Sequence, residues 1–152
     1  MTDETFVFRD RVYEVRVSPA EDLRTAVVTV TLDGRFEWSL TAPGWRAVSL
    51  GASGEIGYLW SARQLAVLPH AAEAELQVIS VDEDLLSVFR VDEGWLLVCE
   101  TSIRLLVDEV ETARVELGDV VEVARWEGGV LQVRDAAGEI LELRVDGARL
   151  IA

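Results

Sequence analysis

Two stretches of sequence decide the fold: DLLSVFRVDEGWLLVCE, from Asp84 to Glu100, and DVVEVARWEGGVLQVRD, from Asp119 to Asp135. In each stretch, apolar and β-branched residues flank a short glycine-containing segment, which is typical of two strands joined by a turn. A shift of 35 residues superposes the stretches with six identities over 17 positions. The sequence therefore predicts two β-hairpins that belong to an internal repeat covering 77–111 and 112–146.

The turn residues predict how each hairpin pairs. Asp92-Glu93-Gly94 and Glu127-Gly128-Gly129 suit three-residue loops that close with glycine in the left-handed conformation. Val91 would then pair with Trp95, and Trp126 with Val130. Asp33-Gly34 instead suits a two-residue type I′ turn.

Period-two alternation from these pairs predicts which face of each hairpin is buried. The predicted core face carries Leu86, Val88, Leu96 and Val98 in the first hairpin, and Val121, Val123, Leu131 and Val133 in the second. The opposite face is apolar in the first hairpin, with Phe89, Trp95, Leu97 and Cys99, and polar in the second, with Glu122, Gln132 and Arg134. The first hairpin should therefore be covered on both faces, and the second should face water on one side.

Similar runs recur along the whole chain, with turn signals every 8 to 12 residues from Phe6 to Val145, and helical periodicity is nearly absent. Short helical turns are expected only near 69–75 or 107–111. At 152 residues, the sequence predicts a single all-β domain over 1–152. We expect an antiparallel meander of about 12–15 short strands, forming a β-sandwich or an open barrel with repeated hairpins.

The alternative architecture comes from a resemblance. Units of three or four antiparallel strands with a period of about 35–45 residues resemble the blades of a β-propeller. The resemblance covers Leu76 to Val145 and lacks Trp-Asp and Gly-His signatures. It implies about three or four blades, and because propellers commonly need four to eight, the ring would be closed by a homodimer.

Charge limits the classes of partner. The chain has 14 basic residues, all of them arginine, against 28 acidic residues, so its net charge is −14. Such a surface repels nucleic acid and attracts a basic protein. No apolar run approaches the length of a membrane span, and the acidic start MTDETFVFRDR does not resemble a signal peptide. We therefore expect a cytoplasmic protein with a protein partner, and neither a nucleic-acid nor a membrane partner.

Residue types that are rare or missing exclude several chemistries. The chain has one cysteine, Cys99, and one histidine, His70, so it has neither an intramolecular disulfide nor a Cys/His zinc cluster. It contains no lysine, which excludes a P-loop and Schiff-base catalysis. His70 is a candidate general base without a sequence companion, whereas Cys99 is expected to be a packed thiol. We predict neither a cofactor nor a metal.

The remaining candidate residues are acidic or aromatic. Asp92, Glu93 and Glu127 lie at the predicted turns and would form an acidic rim for a basic partner, although solvated turns that protect strand edges explain them as well. Trp45, after Pro43-Gly44, and Trp126, beside a turn, are the tryptophans best placed for exposure at a protein interface. Core packing is the alternative for both.

Three functions remain open. The first is a non-catalytic binding or scaffolding module that presents an acidic, tryptophan-containing β-surface to a protein, including a second copy of itself. The second is an immunity-type protein that neutralises a basic toxin or nuclease, since opposite charge speeds association. The third is a small-ligand binder or enzyme that uses His70.

Overall fold

The computed structural model describes residues 2–8, 11–19, 25–43, 48–53, 56–69, 74–92 and 94–152. The secondary structure of this described part consists of sixteen β-strands and no helix. The strands are β1 Thr2–Phe8, β2 Arg11–Pro19, β3 Thr25–Leu32, β4 Phe36–Pro43, β5 Ser49–Ser53, β6 Ile56–Ser61, β7 Gln64–Val67, β8 Gln77–Ser80, β9 Leu85–Val91, β10 Gly94–Cys99, β11 Ser102–Val107, β12 Val110–Glu116, β13 Val121–Glu127, β14 Val130–Asp135, β15 Ile140–Asp146 and β16 Arg149–Ile151.

The strands form four sheets of four, each a meander in which every strand pairs antiparallel with the next. The first sheet contains β1–β4, the second β5–β8, the third β9–β12 and the fourth β13–β16. The prediction of an all-β antiparallel meander is confirmed. In the described part of the chain no strand pairing joins two sheets, so the topology fits the alternative of successive four-stranded blades.

The chain divides into two compact units, Met1–Val81 and Asp82–Ala152. In the first unit, one core lies between the first and second sheets and is built from alternate residues of their facing sides. Its buried members are Tyr13, Val15, Val28, Val30, Leu32, Leu59, Ala66 and Leu68. The predicted single domain over 1–152 stays a prediction.

In the second unit, the third and fourth sheets enclose a second core. Its buried members are Val91, Leu96, Val98, Ile103, Leu105, Val121, Leu131, Val133 and Leu143. Every residue of β10 is buried, so this strand is covered on both faces. The alternation of buried and exposed residues along β14 instead leaves one face of the fourth sheet in water. The predicted difference between the two hairpins is therefore confirmed.

The predicted three-residue loops are wrong. Gly94 pairs with Val91, and Val130 pairs with Glu127, so each hairpin closes through a two-residue turn. Gly128 and Gly129 have φ values of 59° and 79°, the mirror-image conformation that matches the twist of a hairpin. Gly94 already belongs to β10 and is not left-handed.

The shorter turns move the pairing by one residue, so Trp95 lies opposite Arg90 and Trp126 opposite Leu131. Because a one-residue slip moves a side chain to the other face, part of the predicted core face is wrong. Leu86 and Val123 are exposed by 41% and 45%. Their predicted places in the core are taken by neighbours, namely Phe89 and Val91 in the first hairpin and Ala124 and Trp126 in the second.

Residues 107–111 form a hairpin instead of the helical turn considered for them. Val107 pairs with Val110, and Asp108 and Glu109 occupy the turn with φ values of 51° and 66°. The structure also adds a sixteenth strand, β16, after the last predicted one. Of the segment 69–75, where a helical turn was also considered, residues 70–73 lie outside the described residues.

Candidate functional site

Four turns of the second unit lie at one end of its two sheets. Alternate turns of a meander fall on the same side of a sheet. The Val121 amide at the start of β13 donates to the Glu100 carbonyl in the β10–β11 turn at 2.9 Å, which aligns the two sheets. The four turns join β9 to β10, β11 to β12, β13 to β14, and β15 to β16. Each of these turns contains or adjoins exposed acidic residues, which we call the acidic end: Asp92, Asp108, Glu109, Glu127 and Asp146.

The backbone aims these carboxylates away from the sheets. Asp92, Asp108 and Glu109 have positive φ, with Asp92 at 46°, and Asp is one of the few residues besides glycine that tolerates this region. Left-handed residues at hairpin tips project into solvent, and all three side chains are exposed. The local sequence therefore produces a row of protruding carboxylates.

The acidic residues at the other end of the sheets have structural roles. Asp135 is buried and accepts a hydrogen bond from the Glu139 amide at 2.9 Å, and Asp119 accepts one from the Val120 amide at 2.8 Å. Asp82 and Glu83 bind Arg104. These four carboxylates are thus held by the fold, whereas Glu100 at the same end is exposed.

The acidic end is different. Within the described residues, no ion pair forms with Asp92, Asp108 or Glu127, whereas Asp146 binds Arg149 at 3.1 Å. The second unit has 17 acidic and 7 basic residues, a net charge of −10, compared with 11 and 7, a net charge of −4, in the first unit. Most of the chain's negative charge therefore belongs to the unit that carries the acidic end.

A buried ionic cluster, the Arg104 network, holds the opposite end of the third sheet together. Glu83 Oε1 accepts hydrogen bonds from the Thr101 amide at 2.9 Å and from its hydroxyl at 2.6 Å. Glu83 Oε2 accepts from the Ser102 hydroxyl and from Arg104 Nη2. Arg104, only 4% exposed, also donates from Nη2 to Asp82 Oδ1 at 2.5 Å and from Nε to Ser102 Oγ at 3.1 Å.

These contacts change the ionisation of the groups involved. Burial alone would raise the pKa of Glu83, but the hydrogen bonds from Ser102, Thr101 and Arg104 outweigh it and lower this pKa from 4.5 to about 2. For Arg104, burial opposes a higher pKa, and the bonds to Glu83 and Asp82 raise it nevertheless. The network therefore stays ionised, and it is a structural clamp between the segment 82–84 and the β10–β11 turn.

Acid should weaken this clamp. Because the folded-state pKa of Glu83 lies below its ordinary value, its contribution is complete above about pH 4.5 and is lost as the pH falls through about 2. Glu83→Gln is expected to lower the free energy of unfolding by about 3 kcal/mol at pH 7, and the deficit should shrink towards zero near pH 2. Urea unfolding followed by circular dichroism at several pH values measures both quantities.

The matched control is Glu100→Gln, because Glu100 is an exposed carboxylate in the adjacent turn. We expect it to change the free energy of unfolding by less than about 0.5 kcal/mol at every pH. A deficit for Glu83→Gln that stays constant between pH 7 and pH 2 would contradict the role assigned to the ionised carboxylate.

The structure separates the residues that the sequence singled out. Asp92 and Glu127 lie at the acidic end, and Trp126 packs on the second core, half-buried and stacked on Phe89 with ring centroids 6.5 Å apart. Glu93, Trp45 and His70 lie outside the described residues.

Other tryptophans and the cysteine have structural positions. Trp38 packs on the first core and donates to the Ala74 carbonyl at 3.2 Å, and Trp95 is buried beneath the Arg90 guanidinium at 4.8 Å. Cys99 is fully buried, and burial raises the pKa of its thiol to about 11, as expected for a packed thiol.

Sequence reasoning missed the Arg104 network. Its signal is Arg104 itself, a single charged residue in the apolar strand Ser102-Ile103-Arg104-Leu105-Leu106. A buried charge in such a strand needs a partner of opposite charge. The sequence shows that Arg104 needs one but does not show which residue it is.

Two further kinds of feature are missing from the described residues. No group of three or more His, Cys, Asp or Glu side chains there is arranged to hold a metal ion. None of the described residues forms a helix long and apolar enough to span a membrane.

No protein-family model matches this chain, and no curated protein matches it. Among solved structures, it is similar to the crystal structure of HIRA(644-1017), with 12% sequence identity and a TM-score of 0.49. The match covers 92% of this chain and 49% of that one, so the chain spans about half the length of that structure. A likeness of this degree does not identify a family or a function.

Proposed function

We propose that this protein is a non-catalytic protein-binding module and that its acidic end receives a basic protein. The observation that carries the proposal is the contrast between the two ends of the second unit. At one end, Asp82, Glu83, Asp119 and Asp135 are held by hydrogen bonds or ion pairs. At the other end, Asp92, Asp108 and Glu127 protrude without ion pairs among the described residues.

Electrostatics supports this choice of partner. The second unit has a net charge of −10, and like charges concentrated on protruding turns produce a field that reaches about 10 Å into solvent at 0.1 M salt. Such a field accelerates the approach of a basic partner and repels acidic ones.

Neutralising three of these carboxylates should slow association. We expect Asp92→Asn/Asp108→Asn/Glu109→Gln to lower the association rate with a synthetic arginine-rich peptide about tenfold at low salt, because steering depends on local charge. The difference should nearly vanish at 1 M salt, where the Debye length is about 3 Å. Stopped-flow fluorescence with a labelled peptide measures the rate, and the Asn residues suit the left-handed turn positions.

A second triple variant separates local charge from net charge. Glu14→Gln/Glu37→Gln/Glu75→Gln removes the same three charges from the first unit. We expect it to slow association less than about twofold at low salt. Equal losses in the two triple variants would refute the acidic end as the binding surface.

A further inference from the structure

The outer face of the fourth sheet, which points away from the second core, is an exposed surface of mixed character. It carries four arginines, four acidic residues and exposed aliphatic side chains: Arg125, Arg134, Arg144, Arg149, Glu122, Glu127, Glu142, Asp146, Val123, Ile140 and Ile151. Ile140 is 64% exposed, and together with Val123 it lines a depression flanked by Arg125 and Arg134. Aliphatic side chains exposed in this way are typical of an interaction surface.

The equivalent face of the third sheet is covered. Gly94 is the first residue after the β9–β10 turn, and Val130 is the first residue after the β13–β14 turn. Structurally equivalent residues of the two hairpins are therefore 36 positions apart. Leu96 and Val98, which correspond to Gln132 and Arg134, pack on the fourth sheet through the second core. The outer face of the fourth sheet is thus the side on which this architecture would place another sheet.

Charge distinguishes this face from the rest of the second unit. Its four arginines balance its four acidic residues, whereas the whole unit has a net charge of −10. Two copies of so acidic a chain repel each other at long range, and they can approach only through a surface without net charge.

The strand register makes the face complementary to itself. One row across β13, β14 and β15 consists of Arg125, Gln132 and Glu142, with Gln132 in the middle. A two-fold axis that runs along β14 exchanges β13 and β15 of a facing copy. Arg125 of each copy would then lie against Glu142 of the other, as an isologous interface requires.

The two neighbouring rows obey the same rule. Glu127, Val130 and Arg144 form one of them, so the axis also places Glu127 against Arg144. The third row consists of Val123, Arg134 and Ile140, and its outer residues would form an apolar contact between the copies.

The middle position of that third row is the least favourable for the dimer, because Arg134 of one copy lies against Arg134 of the other. The Arg134 charge is offset within its own chain by Glu122, at 3.8 Å. Across the three rows, the two-fold axis thus places four ion pairs and two apolar contacts between the copies. It also places the two Arg134 side chains together, and Glu122 offsets the charge of each within its own chain.

The geometry points to a second copy of this chain as the occupant of this face, in a two-fold dimer whose axis runs along β14. The strands that overlap about this axis are β13 to β15. Three strands about 4.8 Å apart, with about six residues each, offer on the order of 300 Å² per copy. A total of about 600 Å² is below the size of stable specific interfaces, so the dimer is weak and concentration-dependent. This inference does not depend on the proposed basic partner.

Charge reversal tests the axis directly. We expect the mass measured by sedimentation to rise from monomer towards dimer between about 1 and 500 μM for the unaltered chain. Glu142→Arg should weaken the dimer at least tenfold, although it makes the chain less acidic and would favour non-specific association. Arg125→Glu should weaken it as well.

Two restorations complete the test. Arg125→Glu/Glu142→Arg exchanges the charges within each copy, and an equimolar mixture of the two single variants places opposite charges together; both should dimerise like the unaltered chain. The control Glu100→Arg makes the same charge change in a turn of the third sheet and should leave the dimer intact. A monomer at every concentration, a dimer indifferent to Glu142→Arg, or a failure of the restorations would each overturn the inference.

Discussion

Arg104→Ala is expected to lower the free energy of unfolding by about 3–5 kcal/mol, the largest effect of any single substitution considered. Removing the guanidinium leaves Glu83 in a largely buried site with only the Thr101 and Ser102 donors, and it leaves a cavity beside β10. A buried charge that loses its partner costs more than the pair contributed. Urea unfolding at pH 7, followed by tryptophan fluorescence, measures the loss.

The control for this substitution is Arg134→Ala. Arg134 has a similar acidic neighbour, Glu122 at 3.8 Å, but both side chains are about half exposed. Exposed ion pairs contribute little, so we expect a change below about 1 kcal/mol. A loss for Arg104→Ala no larger than that of the control would mean that the network does not clamp the sheet.

The double variant Glu83→Leu/Arg104→Met distinguishes a lost partner from lost packing. Replacing both charges by apolar side chains removes the unpaired carboxylate, and such replacements of buried pairs are often close to neutral. We therefore expect the double variant to be more stable than Arg104→Ala by at least about 2 kcal/mol. If the two are equally unstable, packing and not the ion pair explains the loss.

Gly94→Ala is expected to destabilise the protein by about 3 kcal/mol. A β-carbon at position 94 would lie 2.6 Å from the backbone carbonyl oxygen of Leu106 on the adjacent strand. Overpacking a core usually costs about 1–3 kcal/mol, and a backbone atom yields less readily than a side chain. Thermal unfolding should show a correspondingly lower midpoint temperature.

Gly118→Ala is the matched control, because nothing lies within 4 Å of its added β-carbon and its φ is not in the left-handed region. We expect a change within about 1 kcal/mol, of either sign, since alanine also restricts the unfolded chain. Equal losses at the two positions would show that close approach to Leu106 is not what requires glycine at position 94.

Local sequence was sufficient for the class of fold. Alternation of apolar and polar residues between frequent turn signals predicted strands, and the polar face of the second hairpin predicted a sheet with one side in water. The acidic end was also partly predictable, because Asp92 and Glu127 adjoin turns in any hairpin model of these stretches.

Turn length was the point at which sequence reasoning failed. Asp92-Glu93-Gly94 fits both a two-residue and a three-residue turn, and the choice depends on which pairing buries more apolar surface across two sheets. In the second hairpin, the same one-residue difference at the Gly128-Gly129 turn exchanged Val123 for Ala124 on the core face. It also packed Trp126, half-buried, against the second core.

The sequence by itself determined the all-β class, the negative charge, the absence of lysine chemistry and the packed state of Cys99, because composition and short-range alternation suffice for these. Only the tertiary structure decided the pairing of Arg104 with Glu83, the gathering of exposed acidic turns at one end of the second unit, and the self-complementary rows of the fourth sheet. These features join residues about 10 to 20 positions apart through strand register. Register follows from the burial of whole sheets, which no local pattern contains.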